Sequence, residues 1–117
     1  MSRSDQDRLI DARDHAGHAI ELYGHSSDDD LRRARALRQA LLFDLLVIGE
    51  ALHHASPEVK RLSQDVPWQA TWNMRNRLIH GYWNIDLGLV HEVLVHDLPR
   101  LTDALDRLIE LLERNSS

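Results

Sequence analysis

The sequence predicts an all-α fold, a bundle of four to five helices in one domain. Three observations carry this expectation. Apolar residues recur at intervals of three and four along most of the chain, the spacing that keeps side chains on one helix face. Glycine and proline, which punctuate short strands and turns, number only 5 and 3 in 117 residues. Apolar residues make up 43% and charged residues 28%, a balance that supports a packed core rather than a disordered chain. This length is too short for two independent cores. Residues 1–117 are therefore read as a single domain, ordered from about 4 to 114, with a short C-terminal tail.

The first helix is expected from about Ser4 to Tyr23. Ser4 offers an N-cap, Asp5 and Asp7 suit the positive end of a helix, and Gly24 supplies a stop. Leu9, Ala12, Ala16, Ile20 and Tyr23 form its buried stripe. A polar loop from His25 leads into a second helix, expected from about Asp28 to Ala55. Leu31, Ala34, Leu37 or Arg38, Leu41, Leu45, Ile48 and Leu52 share one face of it, Leu42, Phe43, Leu46 and Val47 widen that face, and Ser56-Pro57 ends it. Between Pro57 and Pro67 the chain is irregular or makes one short helix around Glu58 to Leu62.

Pro67 suits the first turn of a third helix, which carries Trp68, Thr71, Trp72 and Arg75 and stops at Gly81. A fourth begins near Asp86. From Leu94 through Leu98, Leu101, Leu105, Leu108 and Leu112 it shows the leucine seam of a bundle. Pro99 removes a hydrogen bond and crowds the preceding turn, so a kink or a division is expected there. The tail Asn115-Ser116-Ser117 is expected to fray.

Composition also excludes several kinds of chemistry. With no cysteine there is no disulfide, no thiolate metal site and no cysteine nucleophile. The run from Met1 to Asp7 is polar, unlike a signal peptide, and no apolar run nears the ~18 residues that span a bilayer. A cytoplasmic address and no membrane contact are the expectation. The net charge of -5, from 19 acidic and 14 basic residues, argues against binding nucleic acid by overall charge. It leaves room for a nuclease with a local arginine-rich site.

A dense polar group closes the third helix: Asn73, Arg75, Asn76, Arg77, His80, Tyr82 and Asn84, interleaved with Trp72, Met74, Leu78, Ile79 and Trp83. A histidine can take the 2'-hydroxyl proton of RNA or protonate the leaving oxygen. An arginine can hold the phosphate and stabilise its developing charge. With the 2'-hydroxyl as nucleophile, no metal or cofactor is needed. Yet Arg75 and His80 are five residues apart, roughly 140° around an ideal helix. Either the helix unwinds before His80, or the two groups meet across a symmetric dimer. Spacing alone does not separate this reading from a structural one, in which His80 caps a helix end and Tyr82 is a core aromatic.

The segment Met74-Arg75-Asn76-Arg77-Leu78-Ile79-His80-Gly81-Tyr82 resembles the R-x4-H-x-Y signature of HepT-like proteins of the HEPN superfamily. Ile48-Gly49-Glu50-Ala51 upstream, Pro67-Trp68 and Trp72 before the motif, Ile85-Asp86 after it and Asp97-Leu98-Pro99-Arg100-Leu101 in the last helix follow the family's order. The likeness covers roughly residues 5 to 112. It implies an up-and-down HEPN bundle that forms a homodimer, an endoribonuclease acting on RNA, and Arg75 and His80 as the catalytic pair. Asn76 would be the polar residue that follows the arginine. The resemblance further implies the toxin of a type VII HEPN/MNT toxin–antitoxin system. Its partner, a minimal nucleotidyltransferase antitoxin, would silence it by AMPylation of Tyr82. Noncatalytic relatives leave a second reading open: a helical binding partner or substrate-presenting subunit of a nucleotidyltransferase. A purely structural dimerisation domain is a third.

Other residues have competing readings. Glu50 either pairs with Arg75 and orients it, or lies on the surface. Arg32, Arg33, Arg35 and Arg38 read as a salt-bridged solvated face beside Asp28 to Asp30, with Arg38 on the apolar stripe suited to a buried acid. His15 with His18, and His53 with His54, lack evident acidic partners and read as surface histidines rather than metal ligands. Trp68, Trp72 and Trp83 read as core or interface rather than base-stacking platforms.

Overall fold

The structure, a computed structural model, describes residues 3–115. Its helices are α1 (Arg3–Tyr23), α2 (Asp28–Arg33), α3 (Arg35–His53), α4 (Pro57–Leu62), α5 (Trp68–Gly81), α6 (Leu87–Glu92) and α7 (Leu98–Asn115). A 3-10 turn at Tyr82–Asn84 follows α5, and a π-helical turn at Val93–Asp97 joins α6 to α7. Among the described residues there is no strand, so the all-α expectation holds. Four long rods make the bundle: α1, α3, α5 and the continuous α6–α7. α1 packs between α3 and α7, and α3 between α1 and α5. No helix is long and apolar enough to cross a membrane.

Most of the predicted stripes form the core, although Ile20 is only half-buried and Ala34 and Phe43 are exposed. Leu9, Ala12, Ala16 and Tyr23 of α1 are buried with Leu41, Leu45, Ile48 and Leu52 of α3 and with Leu98, Leu101, Leu105, Leu108 and Leu112 of α7. Gly24 ends α1 with φ +53, a left-handed conformation natural to glycine, and its N–H bonds back to the Ile20 carbonyl. Ser56 caps α4 by accepting from the Val59 N–H, and Asp86 caps α6 by accepting from Gly88 and Leu89.

Several boundaries differ from expectation, each for a local reason. α1 begins at Arg3, which puts Ser4 inside the first turn rather than at the cap. Asp5 stands in the first turn as expected and is also buried; its carboxylate accepts from the Ser56 N–H at 2.9 Å, tying α1 to the start of α4. The helix expected over 28–55 is two helices. Ala34 leaves helical geometry at φ -96, ψ 89, and the Arg38 guanidinium turns back to donate to the Leu31 and Arg32 carbonyls, both at 2.9 Å. Arg38 therefore satisfies the end of α2, not a buried acid.

Arg32 and Arg33 do pair with Asp29, at 3.1 and 2.9 Å, as a solvated face. Pro67 stands at the cap of α5, one position before its first turn. The disturbance expected at Pro99 takes the form of a change of helix type between α6 and α7. The chain widens just before it into a π turn, with the Leu98 N–H bonded to the Val93 carbonyl. Ser116 and Ser117 of the expected tail lie outside the described residues.

Asp44, which interrupts the most apolar stretch of α3, is buried and accepts from Nδ1 of both His15 (2.8 Å) and His18 (2.6 Å). The histidine pair thus has the acidic partner that the sequence reading did not find. It works as a polar clasp between α1 and α3. Among the described residues no three histidine, aspartate or glutamate side chains are grouped to hold a metal ion.

Candidate active site

α3 and α5 meet at Gly49. A Cβ built there would lie 2.5 Å from Arg75 Cβ and 2.7 Å from the Thr71 carbonyl oxygen, so only a hydrogen at that position allows so close a crossing. Contact at this point sets the next residue, Glu50, beside Arg75. Arg75 Nε donates to Glu50 Oε2 at 2.8 Å, and its NH1 group donates to Asn76 Oδ1 at 3.1 Å. The guanidinium also lies over the Trp72 ring, 4.6 Å from its centroid. Of the two readings of Glu50, the pairing with Arg75 is the one observed. Asn76 contacts Arg75 rather than His80.

The network continues into the end of α3. The His53 imidazole stacks on Trp72 with centroids 3.6 Å apart and planes 10° from parallel. The face covered by the indole loses water, and Lys60 and His54 add positive charge nearby. Both effects lower the His53 pKa below its ordinary value, desolvation being the larger. His54 Nδ1 donates to the Glu50 carbonyl at 2.8 Å. Lys60 and Arg8 donate to the His53 and His54 carbonyls, at 2.8 and 2.9 Å, and so cap the helix with cations.

His80 lies elsewhere on α5. The helix runs unbroken through Arg75 and His80 and ends only at Gly81, where ψ reaches 35. Unwinding before His80, one of the two geometries open from the sequence, does not occur. Within one chain the two side chains point to different faces. His80 is exposed, makes no hydrogen bond or ion pair among the described residues, and lines a groove of about 400 Å³ at the α5–α6 corner.

Tyr82 follows on the 3-10 turn, 66% exposed, against the edge of Trp83, which is 74% exposed. Neither is a core aromatic. Trp68 is half-buried, with its indole N–H donating to the Ser63 carbonyl at 2.9 Å. Sequence reasoning missed His53 as a neighbour of Arg75. Its signal was the placement of Glu50, His53 and His54 on the last turn of one helix, two of them three residues apart.

An all-α bundle with the segment from Arg75 to Tyr82 at the end of α5 is the arrangement of a HEPN-type ribonuclease. The chain belongs to the ribonuclease HepT-like family, whose model matches residues 13–108. It is 30% identical over 112 residues to the probable ribonuclease HepT of Thermococcus cleftensis, covering 92% of this chain and 98% of that protein. It is also 31% identical over 91 residues to a Methanocaldococcus jannaschii protein named gamma-glutamylcyclotransferase and putative RNase. That match takes in 78% of this chain but only 41% of the longer relative. None of the solved structures matches it.

Proposed function

We propose that this chain is a metal-independent endoribonuclease, the toxin of a toxin–antitoxin pair, whose site forms when Arg75 of one copy meets His80 of another. The unbroken helix through both residues is the observation that carries this reading. It keeps them apart within a chain while leaving His80 exposed and Arg75 held by Glu50, Asn76 and Trp72. Family membership and the names of the relatives support RNA as substrate.

In the proposed reaction one His80 takes the proton of a 2'-hydroxyl. The 2'-oxygen attacks phosphorus and the 5'-oxygen leaves, receiving a proton from an imidazolium. Arg75 balances the charge gathering on the phosphoryl oxygens. Products are a 2',3'-cyclic phosphate and a free 5'-hydroxyl. Tyr82 is the control point: its exposed hydroxyl attacks the α-phosphorus of ATP on a partner nucleotidyltransferase, pyrophosphate leaves, and the attached AMP sets negative charge two residues from His80.

Expression without the partner is expected to arrest growth and fragment RNA, in vitro also with chelator present. Arg75→Ala or His80→Ala should end both effects. Intact RNA with wild type would overturn the reading. Coexpression with the nucleotidyltransferase should add AMP mass to wild type and none to Tyr82→Phe.

A further inference from the structure

The geometry points to the groove beside His80 as a nucleotide subsite for the RNA substrate, with Arg77 holding a phosphate and Asn84 meeting a base edge. The inference rests on the ribonuclease reading and adds residues to it. Arg77 and His80 are three positions apart on α5, about 60° around an ideal helix, and so share a face that Arg75 does not. Both line the groove at the α5–α6 corner, together with Asn84.

The groove has the composition of a nucleotide site. Met74, Leu78, Ile85 and Leu89 give it an apolar lining against which a base can lie flat. Arg77 is exposed and has no hydrogen bond or ion pair among the described residues. Several other arginines of this acidic chain are committed, Arg32 and Arg33 to Asp29 and Arg75 to Glu50, while Arg35, Arg61 and Arg100, unpaired among the described residues, do not line this groove. An unpaired guanidinium beside an exposed imidazole favours an anion such as a phosphate.

The groove also holds one carboxylate, Asp86, whose Oδ1 is turned to the start of α6, where it accepts from the Gly88 and Leu89 N–H groups at 2.9 and 3.3 Å. Asn84 likewise has no partner among the described residues, and its amide offers both a donor and an acceptor to a base edge. The reacting phosphate sits between His80 and the second copy's arginine. Arg77 holds the adjoining phosphate, and the base between them rests on the groove floor.

The test uses the full chain and two single-stranded probes of one sequence: a cleavable oligoribonucleotide and its 2'-O-methyl form, which cannot be cut. Arg77→Ala is expected to raise KM and the Kd for the 2'-O-methyl probe about tenfold, with kcat changed less than about threefold. It should also lower the slope of log Kd against log salt by about 0.7, the share of one phosphate on a single strand. Arg77→Lys should restore that slope, and Asn84→Ala should flatten the preference among bases at the cleaved step. Because Arg77 is exposed and unpaired, its truncation should leave the urea midpoint unchanged. Unaltered KM, Kd and salt slope in Arg77→Ala would overturn the subsite while leaving the ribonuclease reading intact. Probe binding that depends on Arg77, without any cleavage by wild type, would uphold the subsite and end the ribonuclease reading.

Discussion

Arg75 has its Nε and NH1 groups committed, to Glu50 and Asn76, and its flat face on Trp72. A guanidinium so held presents its remaining N–H groups in one direction, the fixed geometry that the proposed reaction asks of a group holding phosphate. Glu50 is 43% exposed, so solvent screens the pair and its worth to stability is small. Glu50→Ala should therefore cut RNA cleavage about tenfold through lost positioning. Its unfolding free energy, read from urea titration, should fall by less than about 1 kcal/mol. A variant that cleaves at the wild-type rate would show that the pair does not position Arg75. His53 gives a pH-dependent test of the same network. Its folded pKa lies below the ordinary 6.5, so in the window between the two values the unfolded chain holds the extra proton. Stability is full above that window and falls as pH drops through it. His53→Gln removes this contribution, and its urea midpoint should fall less between pH 7 and pH 5 than that of wild type.

At the scale of elements, the crossing of α3 and α5 at Gly49 is what assembles the site. Gly49→Ala would drive a methyl into the Arg75 side chain and the Thr71 carbonyl, so the helices must part. A loss of about 1–3 kcal/mol is expected from such overpacking, measured as a lower urea midpoint, with cleavage falling as Glu50 draws away from Arg75. The sequence showed Gly49 and Glu50 only as part of a family likeness, because the reason for the glycine is a tertiary contact. Boundaries with local chemistry were legible: Gly24, Ser56-Pro57, Gly81 and Asp86 stop or start helices where their residue types require. The break at Ala34 was not, since the spacing of Leu31, Leu41 and Leu45 fits one continuous helix. At the break Arg38 reaches seven residues back to a carbonyl that the helix leaves open, a tertiary arrangement that spacing does not reveal. Pro99 was read correctly as a disturbance, but a π turn absorbs it, and periodicity does not distinguish that from a kink. In the site, the residues themselves were legible, but of their pairings only Glu50 with Arg75 was, as one of two readings. Nothing local tells that Asn76 serves Arg75, or that His53 stacks on Trp72.

At the scale of the whole molecule, the proposed site has to be built from two chains, and symmetry makes that testable. An isologous dimer repeats every contact. If Arg75 of one copy works with His80 of the other, a dimer carries two equivalent arginine–histidine pairs. The exposed apolar side chains of Ile79 and Trp83 are suited to such an interface. Consider Arg75→Ala and His80→Ala proteins, each inactive alone, mixed in equal amounts under conditions that exchange subunits. In a mixed dimer, one pair joins the two substituted residues and is dead. The other joins the intact Arg75 of the second variant to the intact His80 of the first. Random exchange makes about half the dimers mixed, each with one of two pairs intact, so roughly a quarter of wild-type cleavage should return. A pair contained within one chain predicts no recovery, because every chain in the mixture lacks one of the two groups. Recovery that disappears when exchange is blocked by prior crosslinking of each variant would place the reaction between chains. Failure to recover with exchange verified by mass spectrometry would remove the shared cleft from the mechanism.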